Sequence, residues 1–314
     1  MKKNLVIIAG PTASGKTSLS IEIAKRINGE IISADSMQVY KHMDIGTAKI
    51  TEEEMDGIKH YMIDEVTPDI EFSVALFREK AEKYIDDIIS RGKTPIIVGG
   101  TGLYVNSLTY ALDFSGRAED MEYRAYLEEV AKENGNEYLH SMLKDVDEES
   151  YNRLYPNDIK RVIRALEVYK IKGKTISEIQ KESKEKEIDY NLSYFALTMD
   201  REKLYDRINR RVDIMFEKGL VDEVKNLLNM GYTEDMTSMQ AIGYKEVIDY
   251  FNDKMTLNEV IDYIKQSSRR YAKRQLTWFR KDERIKWYNT DEYTEKNDLI
   301  ENILSCIEGD FKHI

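Results

Sequence analysis

The sequence predicts an α/β protein: a parallel sheet core flanked by helices, with a mostly helical insertion in the middle of the chain. Three observations carry the prediction. Short apolar runs ending in turn residues alternate with amphipathic stretches over the first hundred residues; from about residue 115 the texture becomes helix after helix with few β-branched runs; and strand-like sequence returns as "YFALTMD" at 194–200. Alternation of strand and helix implies parallel pairing with helices packed on the sheet faces. A strand returning after a helical stretch implies that the stretch is inserted into the core. The expected division is 1–114 with 194–314 as core and 115–193 as insertion.

Residues 5–9, "LVIIA", form a continuous apolar run, the pattern of a strand buried on both faces. The run is shorter than the roughly 7–15 apolar residues of a signal-peptide h-region, so "MKKNLVIIAG" is expected to start the fold. From Ser18, the positions Leu19, Ile21, Ile23, Ala24 and Ile27 show helical spacing up to Asn28 and Gly29. "EIISA" reads as a second strand leading to Asp35. "VALFREKAEKYIDDIISRG" reads as an amphipathic helix stopped by Gly92, and "TPIIVGG" as a buried strand ending in a glycine turn. Within the insertion, helices are expected from "AEDMEYRAYLEEVAKENG" to "KTISEIQKESKEKE". Helices then follow around 201–230, 239–252 and 256–281, with a last strand at "IKWYN".

The chain has 314 residues, 41% of them hydrophobic, and no apolar run of membrane-spanning length, so no membrane partner is expected. Its one cysteine, Cys306, excludes an internal disulfide and a cysteine-based zinc site and suits a reducing compartment, so a cytoplasmic location is expected. A net charge of -11 argues at first against a polyanionic partner. Two stretches run the other way: residues 265–286 hold nine Lys or Arg against two acids, and residues 157–174 hold six against two. Concentrated cationic stretches in an acidic chain favour nucleic acid over a merely solvated helix face.

Gly10, Pro11, Thr12, Ala13, Ser14, Gly15, Lys16 and Thr17 fit G-x-x-x-x-G-K-[ST], with strand before and helix after. This makes the core P-loop NTPase-like. The glycines let backbone N–H groups turn onto phosphate oxygens, the helix N-terminus adds its positive dipole end, Lys16 adds a full charge and Thr17 can ligate Mg²⁺, the expected cofactor. The motif specifies phosphate but not whose. Asp35 follows the second strand, where open α/β sheets place their ligands, and position alone leaves three roles open: Mg²⁺ ligand, base, or helix cap.

"GPTASGKT", "ISADSMQVYKHMDIGTAK", "GGTGLY", "RVIRALEVY", "RINRRVDIMFEKGLVDEV", "QAIGYKEV" and "AKRQLTWFR" follow one another along almost the whole chain. In this order they resemble the tRNA dimethylallyltransferase family of bacterial type. The resemblance implies transfer of a dimethylallyl group from dimethylallyl diphosphate to N6 of adenosine 37, beside the anticodon, in tRNAs that read codons beginning with U. It implies a catalytic set of Asp35 as general base with Lys16, Thr17 and Arg211 at the diphosphate, although Asp206, Asp213 and Glu217 could equally pair with Arg211 along a solvated helix face.

The same resemblance places the tRNA anticodon loop against Asp35, Ser36, Met37 and Gln38, Thr101 and Arg124, and against Lys160, Arg161, Val162, Ile163 and Arg164. It adds Gln240, Ala241, Ile242, Gly243, Tyr244 and Lys245, and then Lys273, Arg274, Gln275, Leu276, Thr277, Trp278, Phe279 and Arg280. The two cationic stretches coincide with two of these blocks. Trp278 and Phe279 read as core rather than stacking platforms, Tyr104 suits stacking and packing equally, and His42 and His60 read as structural. A monomer without a protein partner is expected. The competing classes are a nucleotide or small-molecule kinase, an adenylate isopentenyltransferase and a non-catalytic tRNA-binding module; the last needs neither Lys16 nor Thr17.

Overall fold

The computed structural model describes residues 2–112 and 121–312. One sheet holds six strands, β1 (Lys3–Ala9), β2 (Gly29–Ser33), β3 (His60–Tyr61), β4 (Thr94–Gly99), β5 (Tyr190–Thr198) and β6 (Lys286–Asn289), in the order β3-β2-β4-β1-β5-β6. Every pairing is parallel, with Ile7 opposite both Ile97 and Tyr194. Parallel neighbours need crossover connections. The helices that follow are α1 (Lys16–Arg26), α2 (Glu52–Met55), α3 (Val74–Ser90) and α4 (Gly102–Thr109), then α5 (Met121–Asn134), α6 (Asn136–Ser141), α7 (Glu148–Arg153), α8 (Ile159–Lys172) and α9 (Ile176–Glu185). After β5 come α10 (Arg201–Glu217), α11 (Leu220–Asn229), α12 (Tyr244–Phe251), α13 (Leu257–Phe279) and, past β6, α14 (Lys296–Lys312). The chain forms two compact units, Met1–Asn106 with Asp189–Ile314, and Ser107–Ile188.

In the larger unit β1 is central, and Leu5, Val6, Ile7, Ile8 and Ala9 are wholly buried, as a continuous apolar run requires. Leu19 and Ile23 of α1 pack on Val6, Ile8, Ile31 and Ile96, together with Leu299, Ile300, Ile303 and Ile307. Those last four lie on α14, a helix that the sequence reading missed although their one-sided spacing is visible in the chain. β5 starts at Tyr190 rather than at residue 194, because its half-buried first residues Tyr190 and Asn191 do not read as core strand. Three strand ends meet on one side of the sheet: the phosphate loop follows β1, Asp35 follows β2, and Gly100 and Thr101 follow β4.

The smaller unit has its own core, in which Leu127 of α5, Leu139 of α6 and Val162, Ile163 and Leu166 of α8 come together. Buried Asp147 accepts from the backbone and side chain of Ser150 at 2.9 and 2.8 Å and from the Ser177 hydroxyl at 2.8 Å, joining α7 to α9. The boundary expected between residues 114 and 115, and the first residues of the helix expected from Ala118, lie outside the described residues. Among the described residues no helix is long and apolar enough to cross a membrane.

Since α14 closes one face of the sheet, Ile303→Ala should destabilise the protein by about 2–5 kcal/mol. Urea denaturation should show it as a lower midpoint, while Glu301→Ala on the exposed side of the same helix, which loses only a solvent-exposed ion pair with Arg26, should shift stability by no more than about 1 kcal/mol.

Candidate active site

The turn after β1 is built for an anion. Gly10 and Gly15 hold φ of 138° and 93°, a region open to glycine, and Ala13 is forced to 62°. Gly15 forms the N-terminal boundary of α1, and no side chain caps that terminus. Three other helices close theirs with Thr–Glu capping boxes, Thr51 with Glu54, Thr175 with Glu178 and Thr256 with Glu259, while α6, α8 and α11 also start without a side-chain cap. The open first turn of α1 therefore presents N–H donors and the positive end of its dipole. The Ser14 hydroxyl beside it is buried and has no partner among the described residues.

A cavity of about 300 Å³ opens over this turn, bordered by Thr12 to Thr17, Asp35, Gln38, Arg207, Arg211, Tyr271 and Gln275. The Lys16 ammonium donates to the Pro11 carbonyl at 2.6 Å. Desolvation, reinforced by the Arg211 cation, lowers its pKa to about 7, against the opposite pull of Asp35. Arg211 reaches the same place from α10 and donates to the Thr12 hydroxyl at 3.2 Å. Burial depresses its pKa as well, with Asp35 opposing. The alternative of a solvated ion-paired face is not what forms: Asp213 pairs with Lys265 at 2.6 Å, and Arg211 has no ion pair among the described residues. Arg207, one turn earlier on α10, also borders the cavity, a second guanidinium that the sequence reading did not single out.

Asp35 caps a turn with one oxygen and leaves the other open. Its Oδ1 accepts from the backbone N–H groups of Met37 and Gln38 at 2.9 and 3.3 Å, while Oδ2 has no hydrogen-bond partner among the described residues. The segment it caps is a turn, so the helix-cap alternative holds only in this reduced form. Thr101 stands beside it: the Ser36 N–H donates to the Thr101 hydroxyl at 3.1 Å. Tyr271 borders the cavity with its hydroxyl pushed up to about 12 by burial and by the Asp35 charge. His60, also on the wall, binds the Ile58 carbonyl through Nδ1 at 2.8 Å, and burial holds its pKa below the usual value, against the opposite effect of that hydrogen bond. Ile31, Ile50, Ile63 and Val98 give the cavity an apolar wall.

A second centre supports the loop that carries Thr47 and Ala48. Glu223 of α11 accepts from the N–H groups of Asp44, Ile45 and Gly46 at 2.9, 2.7 and 3.1 Å and from the Tyr244 hydroxyl at 2.6 Å. A Cβ on Gly46 would lie 2.5 Å from the Tyr244 ring. Three separated sequence blocks, "DIGTAK", "GLVDEV" and "QAIGYK", are thus parts of one hydrogen-bonded joint.

Several of the residues expected at the RNA are buried. Val162 and Ile163 face the core of the smaller unit, and Tyr244, Gly243 and Phe279 are buried in the larger, so none has surface to offer. Leu276 packs with Met199, Leu204, Ile208 and Ala272, and Gln275 is buried too. Trp278, expected in the core, is instead 42% exposed. Tyr104 is buried and stacked on Phe77 at 4.2 Å, a packing role. Lys160, Arg161, Gln240, Lys245, Lys273, Arg274, Thr277 and Arg280 are exposed, while Ala241, Ile242, Ser36 and Met37 are partly so. In the smaller unit Arg124 and Arg164 both reach the buried Glu167, at 3.1 and 2.6 Å.

The chain is similar to known proteins over most of its length. A family model described as IPP transferase matches residues 38–282, a span that begins after both the phosphate loop and Asp35. A tRNA dimethylallyltransferase of Acetivibrio thermocellus is 58% identical over 300 residues, covering 96% of each chain. The tRNA isopentenylpyrophosphate transferase of Bacillus halodurans is similar in structure with a TM-score of 0.74 at 47% identity, covering 99% of both chains. A eukaryotic dimethylallyltransferase acting on tRNA gives a TM-score of 0.79 at 30% identity, covering 96% of this chain and 78% of its own.

The charge state of Lys16 yields a direct test with inorganic diphosphate as probe. Above pH 7 the free site holds a largely neutral Lys16, and an incoming anion favours the charged form, so binding should take up a proton there. Calorimetry at pH 8 in two buffers of different ionisation heat should show up to about one more proton taken up by the wild type than by Lys16→Arg, whose guanidinium is always charged.

Proposed function

The chain belongs to the IPP transferase family, and from that membership we propose that it transfers a dimethylallyl group from dimethylallyl diphosphate to an adenosine of tRNA. The observation that carries the assignment of roles is the single cavity in which an uncapped helix terminus, Lys16 and Arg211 face Asp35. The acceptor is N6 of adenosine 37, in tRNAs reading codons that begin with U.

In the reaction the bond between C1 of the prenyl group and the diphosphate oxygen breaks, and a bond from N6 to C1 forms. Negative charge grows on the leaving oxygen, where donors fixed before the reaction stabilise it without reorganisation. The N–H groups of residues 13–17, Lys16 and Arg211 serve there, and Arg211 offers a planar fork suited to a phosphate. The adenine amine is a weak nucleophile whose proton becomes acidic as the new bond forms. Asp35 Oδ2, without a hydrogen-bond partner among the described residues, accepts that proton. Ile31, Ile50, Ile63 and Val98 suit the five-carbon tail.

The donor set also fits Mg²⁺, which retains several waters and takes only one or two protein ligands alongside substrate phosphates. Thr17, at the cavity, would hold it together with the substrate's own phosphate oxygens, and no group of three or more His, Cys, Asp or Glu among the described residues forms a cage for a metal. When bound, the ion supplies further charge stabilisation to the diphosphate.

Adenosine 37 lies in a stacked loop, so its base must be drawn out at a cost of a few kcal/mol. Exposed Lys273, Arg274 and Arg280 of the α13 region, and Lys160 and Arg161 of α8, supply charge for the RNA backbone.

Unmodified tRNA incubated with the protein and dimethylallyl diphosphate should yield adenosine heavier by one C5H8 unit on nucleoside mass spectrometry. Phosphoryl transfer from ATP without prenylation would instead favour a kinase. Asp35→Asn should keep tRNA affinity while lowering turnover by about 10²–10⁴-fold; unchanged turnover removes Asp35 from the proton transfer.

A further inference from the structure

Gln275 lies in a block expected to contact RNA, yet its side chain is buried and both ends of its amide are engaged inside the protein. Its Oε1 accepts from the Thr12 N–H at 2.9 Å, and its Nε2 donates to the Gly100 carbonyl at 3.0 Å. Opposite demands at the two ends fix the orientation of the amide. Thr12 belongs to the phosphate loop and also receives Arg211. Gly100 precedes Thr101, whose hydroxyl holds the turn capped by Asp35.

The contact is tight. A Cβ on Gly100 would lie 2.1 Å from Gln275 Nε2, and one on Gly102 would lie 2.2 Å from the Trp278 ring. Gln275 and Trp278 stand three residues apart on α13, so one helix face grips the turn at both glycines. Lys273 and Arg274, immediately before Gln275, are exposed. The helix therefore presents cations outward and a glutamine inward, to the phosphate loop after β1 and the glycine turn after β4.

We propose that Gln275 is a positioning residue rather than an RNA contact: it sets the phosphate loop and the Thr101 turn relative to one another and ties both to the cationic helix. The proposal rests on the prenyl-transfer reading, but its first readout, binding of inorganic diphosphate, does not need turnover. Loss of the amide lets Thr12 and the loop relax, so Gln275→Ala should weaken diphosphate binding and raise KM for dimethylallyl diphosphate by about 10- to 100-fold. Affinity for tRNA should stay within about twofold, since no RNA contact is lost.

The close approach at Gly100 gives a second, independent prediction. In Gly100→Ala the new methyl displaces the amide and breaks the same two hydrogen bonds, so its effect should match that of Gln275→Ala. The double variant should be no worse than either single one, because truncating the glutamine vacates the space that the methyl needs. Gln275→Met is close in length, adds no charge to the cavity and loses both hydrogen bonds; it should also weaken diphosphate binding while leaving tRNA affinity within about twofold, and it decides the matter if the alanine variant unfolds. A loss of tRNA affinity larger than the loss of diphosphate affinity, or additive effects of the two alanine substitutions, overturns the proposal. A wild type that binds diphosphate and tRNA but transfers no prenyl group overturns the functional reading instead and leaves the Gln275 comparison intact.

Discussion

Everything in the larger unit is arranged around positive charge gathered where little balances it. Lys16, Arg211 and the uncapped start of α1 border one cavity, and Asp35 is the only carboxylate among its described lining residues. Concentrating cations away from water is unfavourable, as the lowered pKa of both Lys16 and Arg211 shows. An anion of two or more charges relieves that arrangement. The strained backbone at Ala13 and the Ser14 hydroxyl, buried without a partner among the described residues, belong to the same design, in which local stability is given up for a site ready before its ligand arrives.

Holding such a site takes rigid supports, and the chain provides them from segments remote in sequence. Glu223 and Tyr244 secure the loop at 44–46, while Gln275 secures the phosphate loop and the turn after β4. Each support is a polar side chain whose hydrogen bonds reach backbone atoms of a loop or brace the side chain that does, so the loop path itself is specified. The parallel sheet sets the frame: ends of β1, β2 and β4 lie side by side, and their loops converge without long excursions.

Much of this was legible in the chain. The phosphate loop could be read because its glycines, lysine and threonine have fixed spacing between a strand and a helix, and the helical insertion because the strand pattern stops and later returns. The direction of side chains was not legible. Within "KRQLTWFR" the sequence pattern does not show that Gln275 is buried against the glycine turn while Trp278, on the same face, packs on Gly102 and stays partly open to solvent, since both depend on which face α13 lays on that turn. Val162 and Ile163 follow the same rule: a cationic stretch on a helix still has an apolar face, and only packing shows where it goes. Glu223 was missed because a single acid on a helix gives no sign that it caps a loop far away in sequence. α14, by contrast, carried a visible apolar spacing at Leu299, Ile300, Ile303 and Ile307.

The central claim is that the glycine turn holds the leaving diphosphate while Asp35 faces the carbon being transferred. A crystal structure with the thiolo analogue of dimethylallyl diphosphate, whose bridging sulfur resists ionisation, tests this most directly. The account predicts the diphosphate on the N–H groups of residues 13–17, with Lys16 released from the Pro11 carbonyl onto a phosphate oxygen and C1 on the Asp35 side. An analogue bound elsewhere, or a Lys16 still on Pro11 with Asp35 turned away from the prenyl carbon, would contradict it.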